Sequence, residues 1–344
     1  MTASSEVLVS DRSTVAAAGE HALIARIRER LPAPPEWLLV PPGDDAAVVA
    51  PVRNEFEVVT TDASIEGIHF DRRFVPSRAI GRRALAVNLS DLAAMGAEPR
   101  YALLSLALPP SLPLDDFDSI VDGLLEEAAR HRVVLAGGNV SASPGPLIVD
   151  VTAAGSVRPR RLLRRSGAKP GDFVFVSGSI GGARAALELL KTAEDVTGTD
   201  SATLADRYLR PEARVRLGLL LGRNRAATAC VDLSDGLADG LRQLAAASNV
   251  GITIDAEALP IDPAARQWFE RRGEDPIQSA LAGGDDYELL FTASPKRMGR
   301  LRNVERLARG LPLTRIGIVT KEGKVTVRRG TEEREIRGGV EHFV

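Results

Sequence analysis

Five short acidic segments punctuate the chain: GDDAAVV (43–49), VVTTD (58–62), VNLSD (87–91), CVDLSD (230–235) and GGDDYELLF (283–291). Each stands at the end of an apolar run or beside a glycine turn. A lone surface aspartate is usually solvated and carries no message. Here Asp45, Asp62, Asp91 and Asp232 flank sequence that reads as buried, and carboxylates gathered there repel one another unless cations separate them. Oxygen ligands without His or Cys suit magnesium, manganese or calcium. No EF-hand spacing is present, and scattered single carboxylates fit magnesium best, because it keeps waters and substrate phosphates in its shell. The implied chemistry is charge neutralisation at phosphate.

Asp91 poses the sharpest case. It lies in LAVNLSDLAAMGA (85–97), which reads as a helix with almost no polar face, and a carboxylate there needs compensation. GSIGGARAAL (178–187) follows an apolar strand and opens a helix, so its amides are a candidate anion cradle or simply a tight turn. It matches neither a P-loop nor a full dinucleotide fingerprint. Arg165, in RRSGAKPGD, is a candidate phosphate clamp or an ordinary linker arginine. His69 stands seven residues past Asp62; histidines are more often structural, but the nearby acids favour a substrate contact.

The elements that must carry these residues alternate between strand and helix, which argues an α/β class. Helices are expected over 20–31, 77–96 and 114–132, with another opening at Pro211-Glu212. Strands are expected over 55–62, 146–157, 251–255, 287–293, 315–320 and 324–329. VVLAGG (133–138) reads as a short strand entering a glycine turn. FVFVSGSIGGARAALELL and ATACVDLSDGLADGLRQLAAAS each read as strand, turn and helix. NLSDLAAMG (88–96) and DLSDGLADG (232–240) share an LSD core, which hints at two related halves. The first 18 residues are small and polar and are expected to be frayed. A boundary falls near 157–170, where the chain is basic and turn-rich.

With 344 residues the chain is long enough for two domains. Its formal net charge of -2 argues against a general grip on nucleic acid or an anionic membrane, and 4% aromatic content disfavours a base-stacking platform. Cys230 is the only cysteine, so no intrachain disulfide forms. Four histidines and one cysteine do not build a usual zinc site. Neither a secretory signal nor an apolar run of about 20 residues is present, so a cytoplasmic protein is expected.

The series GDDAAVV, TTDASIEGIHF, ALAVNLSDLAAMGAEP, RSGAKPGD, VDLSDGLADGL, GGDDYELLFT resembles the thiamine-monophosphate kinase family in order and spacing, from about residue 20 onward. The resemblance implies the two-domain fold shared with aminoimidazole ribonucleotide synthetase. Residues 1–18 would form a disordered extension. Residues 19–157 would form a metal- and ATP-binding domain that dimerises through its sheet, and 158–344 a C-terminal α/β domain. It makes Asp45, Asp62, Asp91 and Asp232 ligands of several magnesium ions, with Thr60 and Thr61 adding oxygens and Asp235 holding a further ion. Gly138, Arg165 and Ser234 would contact ATP, while His69 and Asp285 would contact thiamine monophosphate. Two positions depart from the family pattern. Asn139 replaces a metal-binding carboxylate that also faces ATP, in a glycine turn, and Val340 replaces an aromatic that stacks on the substrate.

The activity implied is transfer of the γ-phosphoryl of ATP to thiamine monophosphate, in line and without a protein nucleophile. Rival readings are a related ATP-dependent synthetase and a nucleotide-binding homologue that has lost turnover, the latter on the strength of Asn139 and Val340. Selenophosphate synthetase is disfavoured, because no cysteine lies in the N-terminal region.

Overall fold

The computed structural model describes residues 13–192 and 199–336, so the expectations for residues 1–12 and for Val340 lie outside it. In the N-terminal half, β1 (Phe56–Ile65), β2 (Glu98–Leu108), β3 (Val134–Ala142) and β4 (Ile148–Val157) form one sheet in the order β1-β4-β2-β3. Pairs β1/β4 and β4/β2 are antiparallel and β2/β3 is parallel. Alternation gives the sheet one buried face, with Leu104, Leu106, Val149 and Val151. Its helices α1 (Ser77–Ala94) and α2 (Leu114–His131) pack there. On the opposite face Val59, Thr61, Leu103 and Asn139 are exposed, as half-solvated antiparallel sheets permit.

The C-terminal half is built on β5 (Phe173–Ser177), β6 (Ala229–Asp232), β7 (Gly251–Asp255), β8 (Leu289–Ala293), β9 (Leu313–Thr320), β10 (Val325–Arg329) and β11 (Glu332–Glu335). Their order is β11-β10-β7-β9-β5-β8-β6. Despite the α/β alternation along the chain, β7/β10 is the one parallel pair among the described residues of this sheet. Its helices include α3 (Gly182–Thr192), α4 (Thr199–Leu209), α5 (Val215–Asn224) and α6 (Leu237–Ser248).

From Ala84 onward α1 is largely apolar because it is enclosed there, while Arg78 and Arg82 in its first half pair with Glu126 of α2. The first sheet, α2 and α5 pack on different sides of it. A Cβ on Gly218 of α5 would stand 2.0 Å from the Ala93 carbonyl oxygen, so glycine is what lets the two helices approach. One core runs through this contact, from Leu85 and Leu89 of α1 to Leu217 and Leu221 of α5 and Phe175 of β5.

Several expectations need correcting. Residues 13–18 are ordered: Thr14 caps the helix Val15–Ala18, and Val15 is buried with its N–H donating to Leu112 O at 2.9 Å. Pro211 and Glu212 precede α5 rather than open it, since the helix begins at Val215. Gly137, Gly138 and Asn139 form no turn. They continue β3, paired with Leu103, Leu104 and Ser105 of β2. A Cβ on Gly138 would lie 1.9 Å from Leu104 O, so the glycine serves strand packing.

Candidate functional site

Asp91 lies in the last turn of α1, facing the sheet. Thr60 and Asp62 share the inner face of β1, and the Thr60 hydroxyl donates to Asp91 Oδ2 at 2.5 Å. On the next residue of α1 toward its start, Ser90 Oγ donates to Asp232 Oδ2 at 2.7 Å. Asp232 ends β6 and is 5% exposed. The two LSD segments are therefore not equivalent elements of a duplicated fold, for one lies inside α1 and the other in the turn before α6. They meet across one site.

Asp91 and Asp232 form a wall common to two cavities. The larger, of about 1000 Å³, is also lined by Asp62, His69, Ser234, Asp235 and Asp285. The smaller, of about 460 Å³, is lined by Thr60, Met95, Arg165 and Cys230. Burial first, then the charges of Asp91, Asp150 and Asp235, push the Asp62 carboxyl up to about 6. Burial and Asp91 push Asp232 up to about 7, against the pull of Ser90 and the Arg165 charge. Burial and the like charge of Asp91 act on both carboxyls, so a cation bound among them would relieve both.

On the far side of the larger cavity His69 Nδ1 accepts from Ile65 N–H at 3.1 Å, which leaves Nε2 as the protonated nitrogen of the neutral ring. Asp285 adopts a left-handed backbone, φ 65°, and its N–H donates to Ser234 O at 2.7 Å. The expected residues thus divide. Thr60, Asp62, His69, Asp91, Arg165, Asp232, Ser234, Asp235 and Asp285 line the two cavities, with Ser234 on the larger one rather than beside Arg165. Asp45 is exposed in its loop and lines neither. Thr61 points to the open face of the sheet, where its hydroxyl meets Asp150 and Thr152. Gly138 and Asn139 sit on β3, three strand spacings or about 14 Å from β1.

The anion cradle at 178–187 is filled from within. Asp286 accepts from Gly181 N–H at 2.7 Å and Ala183 N–H at 3.2 Å, at the start of α3. Burial pushes this carboxyl up to about 7, while the two amides pull it down. Glu288, fully buried, pairs with Arg214 and accepts from Ser177 Oγ at 2.6 Å. Of the acids in GGDDYELLF, only Asp285 faces the cavity.

Sequence reasoning missed Asp150, whose signal was an acid inside the apolar run PLIVDVTAAGSV. It also missed Arg83, Tyr208 and Tyr287, which line the larger cavity. Arg83 follows Arg82 directly in the sequence, so nothing local marked which of the two turns inward.

A sheet open on one face, joined through a buried helix to a second sheet with acids at the junction, defines a two-domain class. Residues 43–157 match the family AIR synthase related protein, N-terminal domain, and residues 169–330 match AIR synthase related protein, C-terminal domain. Within that class the chain belongs to the thiamine-monophosphate kinase family. It is 34% identical to thiamine-monophosphate kinase of Rhodopirellula baltica, over 87% of this chain and 89% of that protein. The crystal structure of the kinase from Stenotrophomonas maltophilia superimposes with a TM-score of 0.78 at 41% identity, covering 89% of this chain and 94% of that one. AaThiL complexed with AMPPCP and TMP gives 0.76 at 33% identity, covering 97% and 100%.

Proposed function

We propose that the protein phosphorylates thiamine monophosphate, using ATP, to give thiamine diphosphate and ADP. The observation that carries this reading is the shared wall of Asp91 and Asp232 between two cavities. Two phosphate-bearing substrates placed one in each would meet at that wall. The similarity to AaThiL, which is complexed with AMPPCP and TMP, supports a site that takes both substrates.

ATP takes the smaller cavity, where Arg165 clamps its phosphates. Thiamine monophosphate takes the larger, with its phosphate toward Asp91 and its rings toward His69 and Asp285. An acceptor phosphate is already anionic near neutral pH, so the protein needs no strong base, in keeping with a carboxylate-rich site. The donor set fits magnesium: Asp62, Asp91, Asp232, Asp235 and the Thr60 hydroxyl are hard oxygen ligands. Among the described residues no three acidic, His or Cys side chains converge on one point, and an ion held by these residues would take its remaining ligands from phosphate and water. When bound there, magnesium supplies the charge neutralisation that lets two polyanions approach in line. The residues themselves bind, orient and exclude water.

The same reading makes the open sheet face a homodimer interface. Thr61 and Asn139 lie on that face, so their metal and ATP roles, with those of Asp45 and Gly138, belong to the paired state. Val340 would contact the substrate. The setting is the cytoplasm, with no nucleic acid or membrane as partner; among the described residues no helix is long and apolar enough to cross a membrane. ADP release measured with and without thiamine monophosphate, in magnesium and in EDTA, tests the reading. Release that depends on both supports it, and release indifferent to thiamine monophosphate overturns it.

A further inference from the structure

Arg83 reaches from α1 across the domain junction and is 6% exposed. It lies 3.9 Å over the Tyr208 ring, donates to the Tyr208 carbonyl, and donates to Asp285 Oδ1 at 3.1 Å. Tyr287, also with a left-handed backbone, donates its hydroxyl to the same Asp285 Oδ1 at 2.9 Å. Tyr208 in turn donates its hydroxyl to His69 O at 2.8 Å. Both donors of the Asp285 carboxylate thus converge on one oxygen. No described residue donates to Oδ2, although the side chain is one-third exposed and lines the cavity.

The helix fixes how far apart Arg83 and Asp91 stand along the cavity. Ile80, Arg83, Val87 and Asp91 all line the larger cavity and fall on one face of α1. Eight residues separate Arg83 from Asp91, a rise of about 12 Å. Of the two rings placed toward His69 and Asp285, the thiazolium carries no N–H, so the group that can donate to Asp285 is the amine of the aminopyrimidine. An ionised carboxylate oxygen accepts hydrogen bonds only, and the exocyclic amino group of that ring is a donor.

We propose that Arg83, together with Tyr287, is a positioning residue that holds Asp285 Oδ1 so that Oδ2 reads the amino group of the acceptor's pyrimidine. This rests on the larger cavity being the thiamine monophosphate site. The selectivity follows from what is left unpaired. An acceptor carrying an oxo group in place of the amine sets oxygen against oxygen, and sites built around a hydrogen bond reject such analogues strongly.

The test compares thiamine monophosphate with oxythiamine monophosphate as acceptors at saturating ATP and magnesium, for the wild type, Arg83→Met and Tyr287→Phe, with thermal unfolding of each. The wild type is expected to prefer the amino compound by about tenfold or more in kcat/KM. Arg83→Met loses most of that preference and raises the KM for thiamine monophosphate about tenfold, while its kcat and KM for ATP stay within about threefold. Tyr287→Phe removes one donor and loses a smaller share. Equal use of the two acceptors by the wild type overturns the proposal, since Asp285 would then be reading the thiazolium charge. Full preference retained in both variants overturns it as well. Should Arg83→Met fail to fold, Tyr287→Phe decides alone, and undiminished preference there counts against the proposal. A wild type that phosphorylates neither acceptor refutes the kinase reading itself, which is a different result.

Discussion

Asp91 holds its place through a single hydroxyl, that of Thr60, and adds repulsion to both Asp62 and Asp232. Asp91→Asn keeps an oxygen for that hydroxyl and removes the charge. Activity should fall about 100-fold or more, the scale of losing one electrostatic contact to a transferring group. The melting temperature of the metal-free protein should hold or rise. Full activity with unchanged magnesium dependence would remove Asp91 from the metal set. The raised carboxyls also set a pH dependence. Asp62 and Asp232 titrate near 6 and 7 in the fold but near 4 in the unfolded chain. The folded protein therefore holds the extra protons, and their contribution is full below about pH 4 and lost as pH rises through 6 to 7. In EDTA the melting temperature should drop between about pH 5 and pH 8, and Asp232→Asn or added magnesium with ATP should flatten that slope. A melting temperature that climbs over this range would contradict the assignment.

At the scale of elements, what was legible depended on whether the local pattern had one physical cause. Helices α1 and α2 and strands β1 and β4 fall close to where the sequence puts them. Strand β2, central to its sheet, went unread. Pro99 near its start argues against a central strand, and the fold tolerates it by shifting register between Pro99 and Tyr101. The glycines of β3 signalled a turn, whereas Gly138 answers a backbone contact from the neighbouring strand, which only tertiary packing creates. The cradle before α3 was legible as an anion site; that the anion is Asp286, about a hundred residues away, was not. The seam between α1 and α5 is likewise invisible locally, and it leads to a prediction. Gly218→Val places a side chain against Ala93 O, two residues beyond Asp91 on α1. Stability should fall by about 1–3 kcal/mol, read by denaturant unfolding. The rate should fall with it, although no cavity residue is altered. A stable but slow variant would show that the seam tunes the site alone.

For the whole molecule the open face of the first sheet is where pairing with a second copy is to be tested. Its exposed apolar groups are Val59, 60% exposed, and Leu103, 37% exposed. Thr61, Ser105, Asn139, Asp150 and Thr152 surround them. The patch is more polar than an obligate interface usually is, but it is continuous over four strands and lies over the back of β1, whose inner face carries Thr60 and Asp62. Asp150 on this face raises Asp62 on the other, so charge on the open face is felt in the site. Asn139 offers an oxygen without charge, and Asn139→Asp should lower the magnesium concentration for half-maximal rate; superimposable titrations would make the carboxylate dispensable here. Leu103→Glu tests the assembly itself. It sets a carboxylate at the centre of the face, and a two-fold axis would bury two copies of that charge together. Wild type should run as a dimer by light scattering at micromolar concentration, and Leu103→Glu as a folded monomer with the same circular dichroism. If Asp45, Thr61 and Asn139 act only in the paired state, the monomer should also need far more magnesium for whatever rate remains. A monomer with wild-type magnesium dependence would show that one chain holds the complete site, and the roles of those three residues would have to be withdrawn.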